Sequence, residues 1–96
     1  MIKNFASKTA QDVYDGTNSR YARKLPLNLH DRARRLLDQI KAAPSLVVLR
    51  VPPSNRLEKL SGDLKGFWSI RINNQWRIIF HWVECEAANV DIIDYH

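Results

Sequence analysis

The clearest pattern along the chain is a helical stripe. Leu29, Ala33, Leu36, Leu37 and Ile40 recur at steps of four, three, one and three, the spacing that gathers apolar side chains on one face of an α-helix. Its start is open between two readings, Pro26 in the first turn or Asn28 as the cap. Pro44 ends it. Arg32, Arg35 and Asp38 fall off the stripe and are expected in solvent. A shorter helix is expected over Thr9 to Asp15, closed by Gly16. Gly16-Thr17-Asn18-Ser19 is then loop chemistry. Ile2 and Phe5 are candidates for an edge strand.

The second half changes period. Trp68, Ile70 and Ile72 alternate with polar residues between Phe67 and Ile72, and Trp76, Ile78, Phe80 and Trp82 alternate again, which predicts two half-buried strands. Asn73-Asn74-Gln75 lies between them. A two-residue turn would put Ile70 opposite Arg77 and spoil both apolar stripes. A three-residue loop pairs Ile72 with Trp76, Ile70 with Ile78 and Trp68 with Phe80, so that every apolar residue shares one face. Asn74 is the candidate for the left-handed position in such a loop. The other face then carries Ser69, Arg71, Arg77 and His81, with Arg71 directly across from Arg77. Like charges so placed repel, and they either splay into water or meet an anion; the basic stretch around them favours the anion. A last strand is expected over Asn89 to Tyr95. The Ile92-Ile93 doublet breaks its alternation and leaves open which parity faces the core.

Between these halves, Leu46-Val47-Val48-Leu49 reads as a short strand. Val51-Pro52-Pro53-Ser54-Asn55 reads as loop or sheet edge, because two prolines remove ladder donors. Ser61-Gly62-Asp63 is a turn. The chain's 96 residues suit a single domain over 1–96 with slim stability.

Charge adds a direction. From Thr17 to Arg77 there are thirteen Lys and Arg against four acids, and after Arg77 there are four acids and no Lys or Arg. A basic middle suits a polyanion-binding surface, because neutralised phosphates release counterions. The one cysteine, Cys85, cannot form an internal disulfide, and is read as a small residue near a strand end. No Cys/His cluster has the spacing of a structural zinc site. No stretch approaches a membrane span and the opening residues lack a signal-peptide core, so a cytoplasmic, non-membrane protein is expected.

RNA is cut without a metal when its own 2′-hydroxyl attacks the adjacent phosphate. That needs a base, an acid, cations for the phosphate and in-line positioning. Asp94, His96, Glu58 and His81 are candidates for the protons, and Arg56, Lys59, Arg71 and Arg77 for the charge. Tyr95 can stack or donate a hydrogen bond. Taken residue by residue these groups do not single out an enzyme: His30 reads as a surface residue, His81 between Phe80 and Trp82 as structural, and His96 as a chain end.

Four segments taken together are more specific. Arg56-Leu57-Glu58-Lys59-Leu60-Ser61-Gly62-Asp63, Gly66-Phe67-Trp68-Ser69-Ile70, Asn74-Gln75-Trp76-Arg77-Ile78-Ile79-Phe80 and Asp94-Tyr95-His96 resemble the HigB toxins of the RelE superfamily, and Met1-Ile2-Lys3-Asn4-Phe5 fits the same pattern. The resemblance spans the chain and is weakest from Tyr14 to Leu37. It implies an α+β, RelE-like fold, two N-terminal helices on a small, mostly antiparallel sheet, and a ribosome-dependent mRNA endonuclease (an mRNA interferase) with no metal and no cofactor. It implies a HigA-type helix-turn-helix antitoxin as partner, ribosome and mRNA as targets, and operator DNA bound only through the antitoxin complex. By position it implies that Asp94 and His96 serve proton transfer, that Tyr95 orients a base and that Arg77 faces the scissile phosphate. Where some members carry a histidine before the Gly-Asp turn this chain has Glu58, and where they carry a lysine nearer the turn it has Ser61. Glu58 is then a candidate base, while Arg56 and Lys59, with Arg71, are the candidates for RNA-binding charge.

Three other readings stand beside this one. A toxin of the same fold acting on gyrase is opposed by the Asp94-Tyr95-His96 ending. A degenerate module that only binds its antitoxin is favoured by Glu58 and Ser61. A basic DNA-binding protein lacks a recognition-helix signal.

Overall fold

The computed structural model describes residues 1–95; His96 lies outside the described residues. The first helix, α1 (Lys8–Asp15), starts on Ser7, whose hydroxyl accepts from the Ala10 N–H at 3.1 Å. It stops at Gly16, which adopts the left-handed conformation at φ 74° and donates back to the Asp12 and Val13 carbonyls. Ser19 then takes over: its hydroxyl donates to the buried Asp12 at 2.7 Å and accepts from the Ala22 N–H, which opens the next short turn.

Helix α2 (His30–Ala42) is entered through a 3-10 turn over Leu27–Leu29 that follows Pro26. Neither sequence reading of its start is fully met. Asn28 makes no cap, and the residue at the cap, Leu29, has no polar group on its side chain to accept a hydrogen bond. His30, expected at the surface, is half-buried with Nε2 2.8 Å from the Leu25 carbonyl. Arg32, expected in solvent, donates from Nε to the Ile72 carbonyl at 2.6 Å and so ties α2 to the sheet.

Leu46–Leu49 is not a strand. Leu46–Arg50 forms a 3-10 helix in which Leu49 is buried while Val47 and Val48 stay exposed. The cause is Asn55, fully buried, whose amide nitrogen lies 3.2 Å from the Leu49 carbonyl, 3.4 Å from that of Val51 and 3.3 Å from Gln39 Oε1. Those backbone acceptors are satisfied by a side chain, so no strand partner is needed. The proline segment, expected as loop or sheet edge, contains one 3-10 turn, Pro53–Asn55.

The sheet has four antiparallel strands in sequence order: β1 (Glu58–Lys59), β2 (Trp68–Arg71), β3 (Trp76–Val83) and β4 (Glu86–Asp94). The β2–β3 register is the expected one, with Ile70 opposite Ile78, Trp68 opposite Phe80 and Arg71 opposite Arg77. The hairpin closes differently, however. Asn74 is not left-handed; instead the Asn73 side-chain oxygen accepts from the Gln75 and Trp76 N–H groups at 2.9 and 2.7 Å, which closes the turn without a strained residue. Glu84 and Cys85, both at positive φ, form the two-residue turn that joins β3 to β4.

Strand β4 begins three residues earlier than expected, and a bulge interrupts it between the Ala87-Ala88 and Ile92-Ile93 doublets. The register steps from Ile79 opposite Asp91 to His81 opposite Ala88, so Asn89, at φ 53°, and Val90 together face Phe80. One inserted residue reverses the parity of everything beyond it. Val90 and Ile92 end up in the core. Ile2 and Phe5 make isolated parallel bridges to Ala87 and Val90 along the free edge of β4.

Ile70, Ile72, Ile78, Phe80, Val90 and Ile92 on one face of the sheet pack with Ala10, Val13, Ala33, Leu37 and Ile40 of the helices. The result is an α+β domain with two helices over one face. The other face is not covered by the helices, and the site lies there. No helix among the described residues is long and apolar enough to cross a membrane.

Candidate functional site

Paired residues of neighbouring strands share a face and successive residues alternate. The registers therefore put Glu58, Ser69 and Ile79 in one row of the uncovered face, and Arg71, Arg77 and Ile93 in the next. Tyr95 extends this parity beyond β4, its N–H donating to the Gln75 carbonyl.

Arg77 is the centre of this surface. Its Nη1 donates to the hydroxyl of Ser69 at 3.1 Å and lies 3.8 Å from Glu58 Oε1. Its guanidinium carbon stands 4.8 Å from the centroid of the Tyr95 ring. The side chain is only 15% exposed, against 52% for Glu58. Ser69, wholly buried, is a short anchor that fixes the guanidinium near the sheet. A serine there is an anomaly on a strand otherwise rich in large residues, and that is the signal the sequence offered for its role.

The facing arginines resolve their repulsion by diverging. Arg71 turns outward and hydrogen-bonds the Asn74 side chain, while Arg77 turns inward to Glu58 and Ser69. The Glu58 pairing does not neutralise Arg77 for good. A half-exposed ion pair contributes about 0–1 kcal/mol. A bidentate hydrogen bond from a guanidinium to a phosphate is charge-assisted and worth about 1.5–3 kcal/mol. An incoming phosphate is therefore able to displace the carboxylate, leaving Glu58 beside it with a free oxygen.

The remaining candidates are spread. Lys59 pairs with Trp68 and so faces the helix side, its ammonium 5.7 Å from the Trp68 ring centroid. Arg56 is exposed at the turn before β1, with φ 47°. Asp94 is opposite Trp76 and takes the helix-side parity, where its Oδ2 accepts from Gln75 Nε2 at 3.0 Å. His96 lies outside the described residues. The structure thus brings Glu58, Arg71, Arg77 and Tyr95 onto one face and places Asp94 and Lys59 on the other. His81 is on the site's face but is engaged: its ring stacks on Phe67 at 3.9 Å and its Nδ1 lies 3.0 Å from Asn89 Nδ2. Among the described residues no three His, Cys, Asp or Glu side chains converge as a metal site.

Comparison with known proteins shows the family and the fold. Residues 3–96 match the model of the HigB-like toxin family, described as the RelE-like toxin of the type II toxin-antitoxin system HigB. The chain is 38% identical over 89 residues to Toxin HigB-1 of Vibrio cholerae serotype O1, covering 93% of this chain and 92% of that one. It is 31% identical to Endoribonuclease HigB of Proteus vulgaris over the whole of both chains. Among solved structures, the heterotetrameric YoeB–YefM toxin-antitoxin complex of Staphylococcus aureus contains a chain with the same fold, at a TM-score of 0.61 and 20% identity, covering 100% of this chain and 98% of that one.

Proposed function

The chain belongs to the HigB-like toxin family of type II toxin-antitoxin systems, and from that premise we propose that it is a ribosome-dependent mRNA endonuclease built as one domain around Arg77. The observation that carries the reading is the Arg77 guanidinium held between Ser69, Glu58 and Tyr95 on the sheet face opposite the helices. A relative named as an endoribonuclease supports the activity.

In this mechanism the 2′-oxygen of one nucleotide attacks its own 3′-phosphorus, and the bond to the 5′-oxygen of the next nucleotide breaks. Arg77 takes the phosphate oxygens as charge builds on them, with Arg71 beside it. Glu58, released from Arg77, accepts the 2′-hydroxyl proton, and His96 gives a proton to the departing 5′-oxygen. Tyr95 stacks on a base and holds the nucleotide in line. Asp94 acts through Gln75 to fix the strand end that carries Tyr95. Arg56 and Lys59 bind flanking RNA. No metal or cofactor takes part. The partner is a HigA-type helix-turn-helix antitoxin, operator DNA is bound only through the complex with it, and the toxin works in the cytoplasm.

Two measurements follow. In a reconstituted translation system, cleavage is expected only in messages under translation, and the upstream fragments end in a 2′,3′-cyclic phosphate. Equal cutting of naked RNA, or 3′-hydroxyl ends, contradicts the mechanism. Tyr95 is the second handle. Tyr95→Ala is expected to weaken message engagement by about 1–3 kcal/mol, the usual worth of one aromatic stack on a base, whereas Tyr95→Phe keeps the ring and most of the activity. A Phe variant as impaired as the Ala variant would assign the role to the hydroxyl instead.

A further inference from the structure

A second cationic feature lies away from the sheet face. Between α2 and the Pro53–Asn55 turn is a cleft of about 190 Å³, lined by Arg32, Arg35, Gln39, Pro52, Ser54 and Asn55. Arg32 and Arg35 are three apart on α2 and so project to the same side. No Asp or Glu among the described residues comes within ion-pair distance of either. Arg34, which does have such a partner in Asp31, points elsewhere and does not line the cleft.

The cleft is also preorganised. Arg32 spends only its Nε, on the Ile72 carbonyl at 2.6 Å, so the plane of its guanidinium is set while both terminal nitrogens remain as donors. The opposite wall is held by the Asn55 amide, whose three acceptors on Gln39, Leu49 and Val51 cross-link the turn to α2 and to the 3-10 helix. One fixed guanidinium, that of Arg32, and a second, exposed one from Arg35, neither paired with a carboxylate, stand beside a serine hydroxyl and a glutamine amide and form a set of hydrogen-bond donors for an oxyanion. Its position is informative too. Ile72 follows Arg71 directly, so the Arg32 guanidinium sits one residue from the arginine row of the uncovered face.

We propose that the Arg32–Arg35 cleft is a second phosphate-binding subsite, which takes a backbone phosphate of RNA as the strand passes the Ile72 end of β2 from the Arg71–Arg77 face. The inference rests on the ribonuclease reading above and adds to it where the RNA goes. The phosphate belongs either to the message or to ribosomal RNA, and the chemistry is the same for both.

The test measures binding of the wild-type chain and of Arg35→Gln, Arg35→Glu and Arg35→Lys to two probes, a labelled single-stranded RNA oligonucleotide and purified ribosomes without message, over a range of salt. Arg35 is exposed, so these changes leave the core intact. Arg35→Gln is expected to lower affinity several-fold and to reduce the slope of log affinity against log salt by about 0.7–1, the signature of one lost phosphate contact. Arg35→Glu loses more, and Arg35→Lys recovers most of the slope. An effect confined to the oligonucleotide assigns the subsite to message, and one confined to ribosomes assigns it to ribosomal RNA. Wild-type affinity and slope in Arg35→Gln and Arg35→Glu for both probes overturns the subsite while leaving the ribonuclease reading standing. If those variants instead lose only antitoxin binding, the cleft is a protein-docking site and the proposal is likewise overturned. Failure of the wild-type chain to bind either probe defeats both readings.

Discussion

Replacing Arg77 with alanine is expected to lower message cleavage by about 100- to 1,000-fold, the usual loss when one preorganised donor to a developing oxyanion is removed. Arg77 is suited to this because it is already positioned: it is 15% exposed, bonded to a fully buried Ser69 and flanked by Tyr95. The same bonds mean the variant also loses stability. Ser69 is left with a buried hydroxyl short of a partner, which costs about 1–3 kcal/mol unless water reaches it. Each kcal/mol moves the melting temperature of a domain this size by about 4–8 °C. Activity must therefore be compared well below the variant's own melting transition. Arg77→Lys separates the two effects, since it keeps a charge but loses the forked donor geometry, and should fall between wild type and alanine. A folded Arg77→Ala protein that cuts within tenfold of wild type would remove Arg77 from the chemistry.

Phe80→Ala is expected to cost about 3–5 kcal/mol, at the upper end of what truncating a core side chain takes from a domain. Phe80 is completely buried at the centre of β3, opposite the bulge, with its ring edge-on to Trp82 at 6.3 Å. Natural domains carry about 5–15 kcal/mol in total, so this variant should lie close to its unfolding threshold. Urea denaturation should show a lower midpoint with an unchanged slope. Phe80→Leu refills most of the volume and should cost clearly less. A loss below about 1 kcal/mol in Phe80→Ala would mean that the core collapses around the gap, contrary to the packing of helices and sheet described here.

The β2–β3 hairpin was legible because one physical requirement decided it. Only the three-residue loop put Trp68, Ile70, Ile72, Ile78 and Phe80 on one face, and the facing of Arg71 and Arg77 followed without further assumption. The last strand was not legible for the complementary reason. Its Ala87-Ala88 and Ile92-Ile93 doublets flank a bulge at Asn89, and a single inserted residue reverses parity without leaving a mark in hydrophobicity. That is why Asp94 emerges on the face away from Arg77. Glu58 reaches Arg77 through a strand of two residues, too short to carry any period. Leu46–Leu49 had strand composition, but the acceptors that a strand partner would have taken are satisfied by Asn55. Arg32 read as a solvated residue because a helical wheel records only which side a residue is on, not the Ile72 carbonyl waiting there just past β2.

The central claim, that this chain cuts translated messages at the Arg77 face, is tested most directly by inducing it in cells that lack the antitoxin and mapping the 5′ ends of messenger RNA. Arg77→Ala and His96→Ala are induced in parallel at matched protein levels. The account predicts growth arrest with new 5′ ends inside reading frames for wild type, and neither for the two variants. Growth arrest without new ends, or new ends that persist in both variants, would contradict it.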